Sequence, residues 1–119
     1  MTGEMVIDRG ALKRAWTGAL RSGEYRQGVG ALKSGPFRCS LGVLHELAPL
    51  LKTHGATLSK DGFPFSYKKE RPNDRYPELG LGCIGHPIDA CVRLNDGMPG
   101  EISGLSFAEI ADWIEGNLE

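Results

Sequence analysis

The chain has 119 residues, a length that fits one domain and leaves no room for a separate cofactor domain. It is 40 % hydrophobic and 24 % charged with 17 glycines, which points to a foldable but loop-rich globule, and no apolar run reaches the roughly 18 residues of a membrane span. The net charge of −1 and isoelectric point near 6.3 lack the strongly basic balance of an ordinary nucleic-acid binder.

The first element expected is a helix from Arg9 to Arg21, because Leu12, Ala15, Trp16, Ala19 and Leu20 recur at helical spacing. Asp8 is placed to cap it and Ser22-Gly23 to stop it. Arg9, Lys13, Thr17 and Arg21 form a second row, read as a solvated face. From Tyr25 to Phe37, Gly28, Gly30 and Gly35 break any helical period, so irregular or short extended structure is expected, with a turn at Ser34-Gly35-Pro36. A second helix is expected over Ser40 to Leu51, apolar enough to run through the core and disrupted near Ala48 by Pro49. Residues 53 to 89 hold many glycines and prolines and are the least legible part. Within them, Phe63 to Lys69 alternates like a short edge strand, and Lys68 to Arg75 reads as a mobile surface loop. Ala90 to Leu94 is expected as a strand ended by the turn residues Asn95-Asp96-Gly97. The last element is a helix from Phe107 to Leu118, announced by a capping box at Ser106 and Glu109 with Leu105 and Ile110 as a hydrophobic staple.

These elements predict a single α+β domain spanning residues 1–119, with three helices near 9–21, 40–51 and 106–118 packed on a short antiparallel sheet of two to four strands. Trp16, Leu20, Leu41, Leu44, Leu47, Phe107, Ile110 and Ile114 are expected to form its core. Met1 to Asp8 lacks the pattern of a secretion signal, and three cysteines do not make the evenly paired framework of a small secreted domain, so a cytoplasmic location without membrane association is expected. Charge is unevenly divided: residues 1–60 carry nine Lys/Arg against four acids, and residues 61–119 carry five against eleven. Such asymmetry can mark an interaction surface, or the two halves can face each other inside one domain.

Four constellations carry candidate chemistry. Ser106 to Ala111 reads like the opening helix of a helix-turn-helix, but the eight residues Asp112 to Glu119 are too few and too acidic for a recognition helix, so sequence-specific DNA binding is not expected. Cys39, at the predicted start of the second helix, is the alternative catalytic thiol, with His86 and Asp96 as its base and orienting acid; His45, about 240° round the helix from Cys39, does not share its face. Cys83, His86 and Cys91 are the alternative metal ligands, with Gly82 and Gly85 beside them, although zinc sites usually show tighter pairs; neither a metal nor another cofactor is expected. Gly28-Val29-Gly30 fits no known phosphate-binding loop, yet Gly28, Gly30, Arg26 and Arg38 together offer an anion pocket.

Three stretches in combination carry a resemblance: Tyr25-Arg26-Gln27-Gly28-Val29-Gly30-Ala31-Leu32, Cys39-Ser40-Leu41-Gly42-Val43-Leu44, and Leu94-Asn95-Asp96 followed by Leu105 to Ile114. They resemble a family of small proteins encoded by tailed phages and prophages. The resemblance covers the first 45 and last 26 residues and brings no activity with it. The family pattern has further cysteines where Ser40 and His45 stand here, which puts a shared thiolate metal site in doubt while Cys39 keeps its place. The phage likeness implies an accessory protein that binds a host protein or small host-made ligand, including in counter-defence, through Tyr25, Arg26, Gln27, Gly28, Gly30 and Arg38. The alternatives are a thiol-dependent enzyme using Cys39 and a virion-associated structural component; the oligomeric state stays open.

Overall fold

The first helix begins where a capping side chain is available. Asp8 Oδ1 accepts from the amide of Ala11 at 3.1 Å, α1 runs over Arg9–Ser22, and Gly23 closes it at φ 80°, a left-handed conformation that glycine adopts at little cost. The computed structural model describes residues 8–48, 53–54, 57–68, 72, 75–81, 84–98 and 102–119. The start of the chain before Asp8, most of the loop expected at 68–75, and Leu51 lie outside the described residues.

The buried face of α1 is turned from the one expected. Trp16, Thr17 and Leu20 are buried, whereas Ala15 is exposed. The row read as solvated, Lys13, Thr17 and Arg21, instead lies along α4 (Phe107–Asn117), the helix on which α1 packs most extensively. Complementary chemistry accounts for the turn. Lys13 Nζ donates to the carbonyl of Leu118 at 3.0 Å, and Arg21 pairs with Asp112 at 2.6 Å and with Glu115.

Three two-residue strands follow: β1 (Arg26–Gln27), β2 (Lys33–Ser34) and β3 (Phe37–Arg38). Gly35, at φ 58°, turns β2 back onto β3 in antiparallel register, with Lys33 opposite Arg38 and Ser34 opposite Phe37. β1 lies parallel to β3 on its other side, so the sheet is mixed rather than purely antiparallel. A parallel pair cannot be closed by a hairpin, and here the connection between β1 and β3 contains β2 itself, together with the 28–32 loop.

Cys39 then caps α2 (Ser40–Leu47), its sulfur accepting from the amide of Gly42 at 3.3 Å. Ser40 to Leu44 are buried without interruption, as expected of a central helix, and the helix ends at Ala48, before Pro49. Leu47 departs from the expected core: it lies in the last turn and is 37 % exposed. A short antiparallel pair, β4 (Thr53–His54) with β5 (Thr57–Leu58), comes next.

The alternating segment from Phe63 is extended but is not a regular strand. Ser66 exchanges two backbone hydrogen bonds with Glu119, both at 2.9 Å, and Tyr67 bridges Leu118, so the segment flanks the end of α4. Its alternation still sorts inside from outside. Phe63 and Phe65 are buried against Trp16, Phe65 stacked at 5.5 Å and Phe63 edge-on at 6.2 Å between ring centroids.

The expected strand at Ala90 to Leu94 is replaced by a helix, α3 (Pro87–Asp96). His86 caps it through Nδ1, which accepts from the amide of Ile88 at 3.1 Å, and Pro87 occupies the first helical position, where its missing amide costs nothing. Ile88, Cys91, Leu94 and Asn95 then face inward at helical spacing. The capping box on α4 is formed as expected, with Ser106 and Glu109 each bonding the other's backbone. Among the described residues, four α-helices, a three-stranded mixed sheet and the β4–β5 pair thus make an α+β fold. Besides the expected core residues other than Leu47, its interior takes Leu32, Leu79, Leu81, Cys91, Leu94 and Trp113.

Candidate functional site

A single carboxamide organises the region where the glycine-rich loop, α2 and α3 meet. Asn95, in the last turn of α3 and 2 % exposed, makes all four hydrogen bonds that its side chain can make. Its Oδ1 accepts from the amide of Ser40 and from Gln27 Nε2, both at 3.1 Å. Its Nδ2 donates to the carbonyl of Gly28 and to Asp96 Oδ1, both at 2.8 Å. Gln27 also donates to the carbonyl of Leu105 at 2.7 Å, which ties the approach to α4 into the same cluster. Gly97 and Gly104 let the backbone close on itself beside it, since a Cβ on Gly104 would collide with the carbonyl of Asn95. Residues 25–32, 39–44 and 94–96 therefore meet at this one residue, with Leu105 joined through Gln27.

Asp96 projects from the same turn toward the loop, and its carboxylate receives the amide of Gly30 at 3.3 Å to each oxygen. Beneath it lies a cleft of about 50 Å³ lined by Gly30, Ala31, Leu32, Cys39, Ser40, Leu41, Val92, Asn95 and Asp96. The cleft is several-fold smaller than the roughly 300–1,000 Å³ of a typical small-molecule pocket. Ser40 is fully buried, and its hydroxyl has no hydrogen-bond partner among the described residues.

The anion pocket expected from Gly28, Gly30, Arg26 and Arg38 is not assembled. The amide of Gly28 donates to the carbonyl of Arg38 at 2.8 Å, and that of Gly30 is taken by Asp96, an anion supplied by the chain itself. Arg38 turns the other way, its Nε on Glu46 at 2.9 Å and its Nη1 on the carbonyls of Gly35 and Phe37. Arg26 is exposed and Tyr25 half-buried against the core. Of the six candidate ligand residues, Gln27, Gly28 and Gly30 are brought together, in a structural network with Asn95 that periodicity alone does not reveal. A polar residue falling on the buried stripe of α3 is the signal that would have found it.

The catalytic alternative is likewise corrected. His86 caps the first turn of α3 and Asp96 ends its last, ten residues on, which at about 1.5 Å per residue keeps them more than 10 Å apart along the helix. They form no base and orienter pair. Cys39 is buried at 8 % exposure, and its thiol is pushed up from the ordinary value by burial, with the nearby charge of Asp96 adding to the rise against the lowering effect of amides at the start of α2. Such a sulfur stays protonated at neutral pH, the reverse of an activated nucleophile. Cys91 is wholly buried and its thiol is raised further. Cys83 lies outside the described residues, and among the described residues no three His, Cys, Asp or Glu side chains are grouped to hold a metal ion.

Fold and site together define a small α+β protein whose saturated polar hub fastens a glycine loop to two helix ends, with a narrow cleft beside it. The chain belongs to the family described as Domain of unknown function (DUF8296), whose model matches residues 9–79. That match takes in α1, the mixed sheet, α2 and the segment through Leu79, and stops short of α3. No curated protein and no solved structure matches the chain. No helix among the described residues is long and apolar enough to cross a membrane.

Proposed function

We propose that the protein is a binding module whose recognition surface is the 28–31 loop together with the outer face of α3. The observation that carries this reading is the distribution of exposed apolar side chains. Among the described residues the exposed large hydrophobics are Val29, Phe37, Leu47 and Val92, at 66, 43, 37 and 37 %, and three of these surround the glycine loop. Val29 stands between Gly28 and Gly30, Phe37 lies so close to Gly28 that a Cβ there would meet it at 2.7 Å, and Val92 lines the cleft with Gly30. Apolar groups left outside around a loop pinned by a saturated polar hub are characteristic of an interaction surface, where rigidity lowers the entropic cost of association.

The resemblance to tailed-phage proteins supports reading the protein as a phage or prophage accessory factor, counter-defence included, with a molecule of the bacterial host as the expected partner. A thiol-dependent enzyme ranks below this reading because Cys39 is buried and its thiol is pushed up by that burial. Affinity capture from bacterial lysate, with mass spectrometry of proteins and metabolites in the eluate, tests it. A stoichiometric partner retained by the natural chain and lost with Val29→Asp is the expected result. Val29 is exposed, so this change should alter stability by no more than about 0.5 kcal/mol. A partner retained equally by Val29→Asp removes the loop from the binding surface, and co-purification only with virions transfers the protein to the structural class.

A further inference from the structure

We propose that the cleft between Asp96 and Ser40 is a binding site for a short primary alkylammonium group; this rests on the binding reading above and specifies its chemistry. The argument starts from charge. Asp96 is half-buried and is held by the amide of Gly30 and by Asn95 Nδ2, yet it takes part in none of the four ion pairs among the described residues. Two neutral donors fix the carboxylate without neutralising it. It also stands at the C-terminal end of α3, where the helix dipole is negative and favours a cation.

An anionic guest is disfavoured by the same geometry. It would face Asp96, and at the start of α2 the amides of Ser40, Gly42 and Val43 are already engaged, with Asn95 Oδ1, Cys39 Sγ and the carbonyl of Cys39 respectively. Ser40 also lines the cleft, and its buried hydroxyl is without a partner among the described residues. A buried hydroxyl in that state is costly unless a guest completes it, and its lone pairs can accept from an ammonium.

Size and lining narrow the guest. Apart from Gly30, Cys39 and the saturated carboxamide residue Asn95, the remaining walls are Ala31, Leu32, Leu41 and Val92, which suit methylene groups. About 50 Å³ accommodates about four water-sized atoms, the extent of a propylammonium ion or the end of a lysine side chain. Both present the same chemistry, three donors on a short apolar stem, and a titration separates them.

Amide spectra of the isotopically labelled protein would be recorded during addition of n-propylammonium chloride, with sodium chloride as the ionic control and Nα-acetyl-lysine amide as the side-chain probe. The amides of Gly30, Ala31 and Ser40 should shift and saturate in the millimolar range with propylammonium and not with sodium chloride. Asp96→Asn should weaken binding at least tenfold and Ser40→Ala about threefold. The Ser40 hydroxyl bonds nothing among the described residues, so the second variant should keep the structure intact if the first does not. Saturation by the lysine derivative at the same amides assigns the site to a partner's lysine, whereas saturation by propylammonium alone assigns it to a free amine. Shifts that follow sodium chloride equally, or that persist unchanged in folded Asp96→Asn, overturn the proposal. In that event, a partner still captured by Asp96→Asn but lost with Val29→Asp leaves the surface reading standing, and loss of both readings shows as no capture at all.

Discussion

At the scale of the residue, Asn95 is the side chain on which most depends. It joins four groups that are far apart in sequence: Gln27, Gly28, Ser40 and its neighbour Asp96. Removing its carboxamide leaves a buried amide, a carbonyl and a side-chain donor without partners, each costing about 1–3 kcal/mol where water cannot enter. Asn95→Ala is therefore expected to destabilise the protein by about 3 kcal/mol in urea denaturation, a large share of the total for a chain of this size. Gln27→Ala should cost less, because Gln27 is only half-buried, and the double variant should fall short of the sum by about 1 kcal/mol. Strict additivity of the two would show that Gln27 and Asn95 do not share a network. Asn95 illustrates what the sequence conceals: Asn-Asp-Gly is a common turn signal, and only once α3 is recognised as a helix does Asn95 fall on its buried stripe.

Among the elements, legibility followed the kind of signal each segment carries. α1, α2 and α4 were readable because an apolar stripe runs through each, joined by a capping side chain and a stop in α1, by Pro49 in α2 and by a capping box in α4, and their ends fall within a few residues of expectation. α3 was missed because its apolar core, Ala90 to Leu94, is short enough to pass for a strand, and its decisive start signal, Pro87 after a capping His86, sits among glycines that read as loop. The parallel pairing of β1 with β3 had no local signal at all. It depends on packing of the intervening loop over α2, and here Gly42 is decisive: a Cβ at that position would collide with the carbonyl oxygen of Leu32. Two glycine or cap substitutions should thus differ sharply. Ser106→Ala removes one half of the α4 capping box and is expected to cost about 1 kcal/mol, with the fold retained. Gly42→Ala, although alanine is the better helix former, should displace the 28–32 loop and cost several times more, visible as a lowered melting temperature and altered amide shifts from Val29 to Leu32. Equal melting temperatures for the two variants would mean that the loop yields freely and does not rest on α2.

For the whole molecule, the uneven charge of the two halves resolves into contact between them. Arg21 of the basic half meets Asp112 and Glu115 of the acidic half, and Lys60 meets Asp89 at 3.1 Å. These pairs are largely exposed and orient the helices more than they stabilise them. The stronger pH dependence should come from groups that the fold keeps neutral. Cys39 and Cys91 are both raised above the ordinary thiol value near 9 by burial, and Tyr67, which donates to the carbonyl of Ile84 at 2.9 Å, is pushed up to about 12 from 10 by burial. A group raised in the folded state keeps its proton where the unfolded chain has released it. The unfolded state then binds fewer protons, and stability falls as pH rises past the unfolded value. The loss should begin near pH 9 with the thiols, at up to about 1.4 kcal/mol per pH unit for each, and steepen above pH 10 as Tyr67 joins. Urea midpoints between pH 7.5 and 10.5 check this. Cys39→Ser retains a good helix cap while removing the thiol, and Cys91→Ala removes the other, so the double variant should be less stable at pH 7.5 yet lose less between pH 9 and 10. A double variant with the same alkaline slope as the natural chain would assign that slope to groups other than the buried thiols.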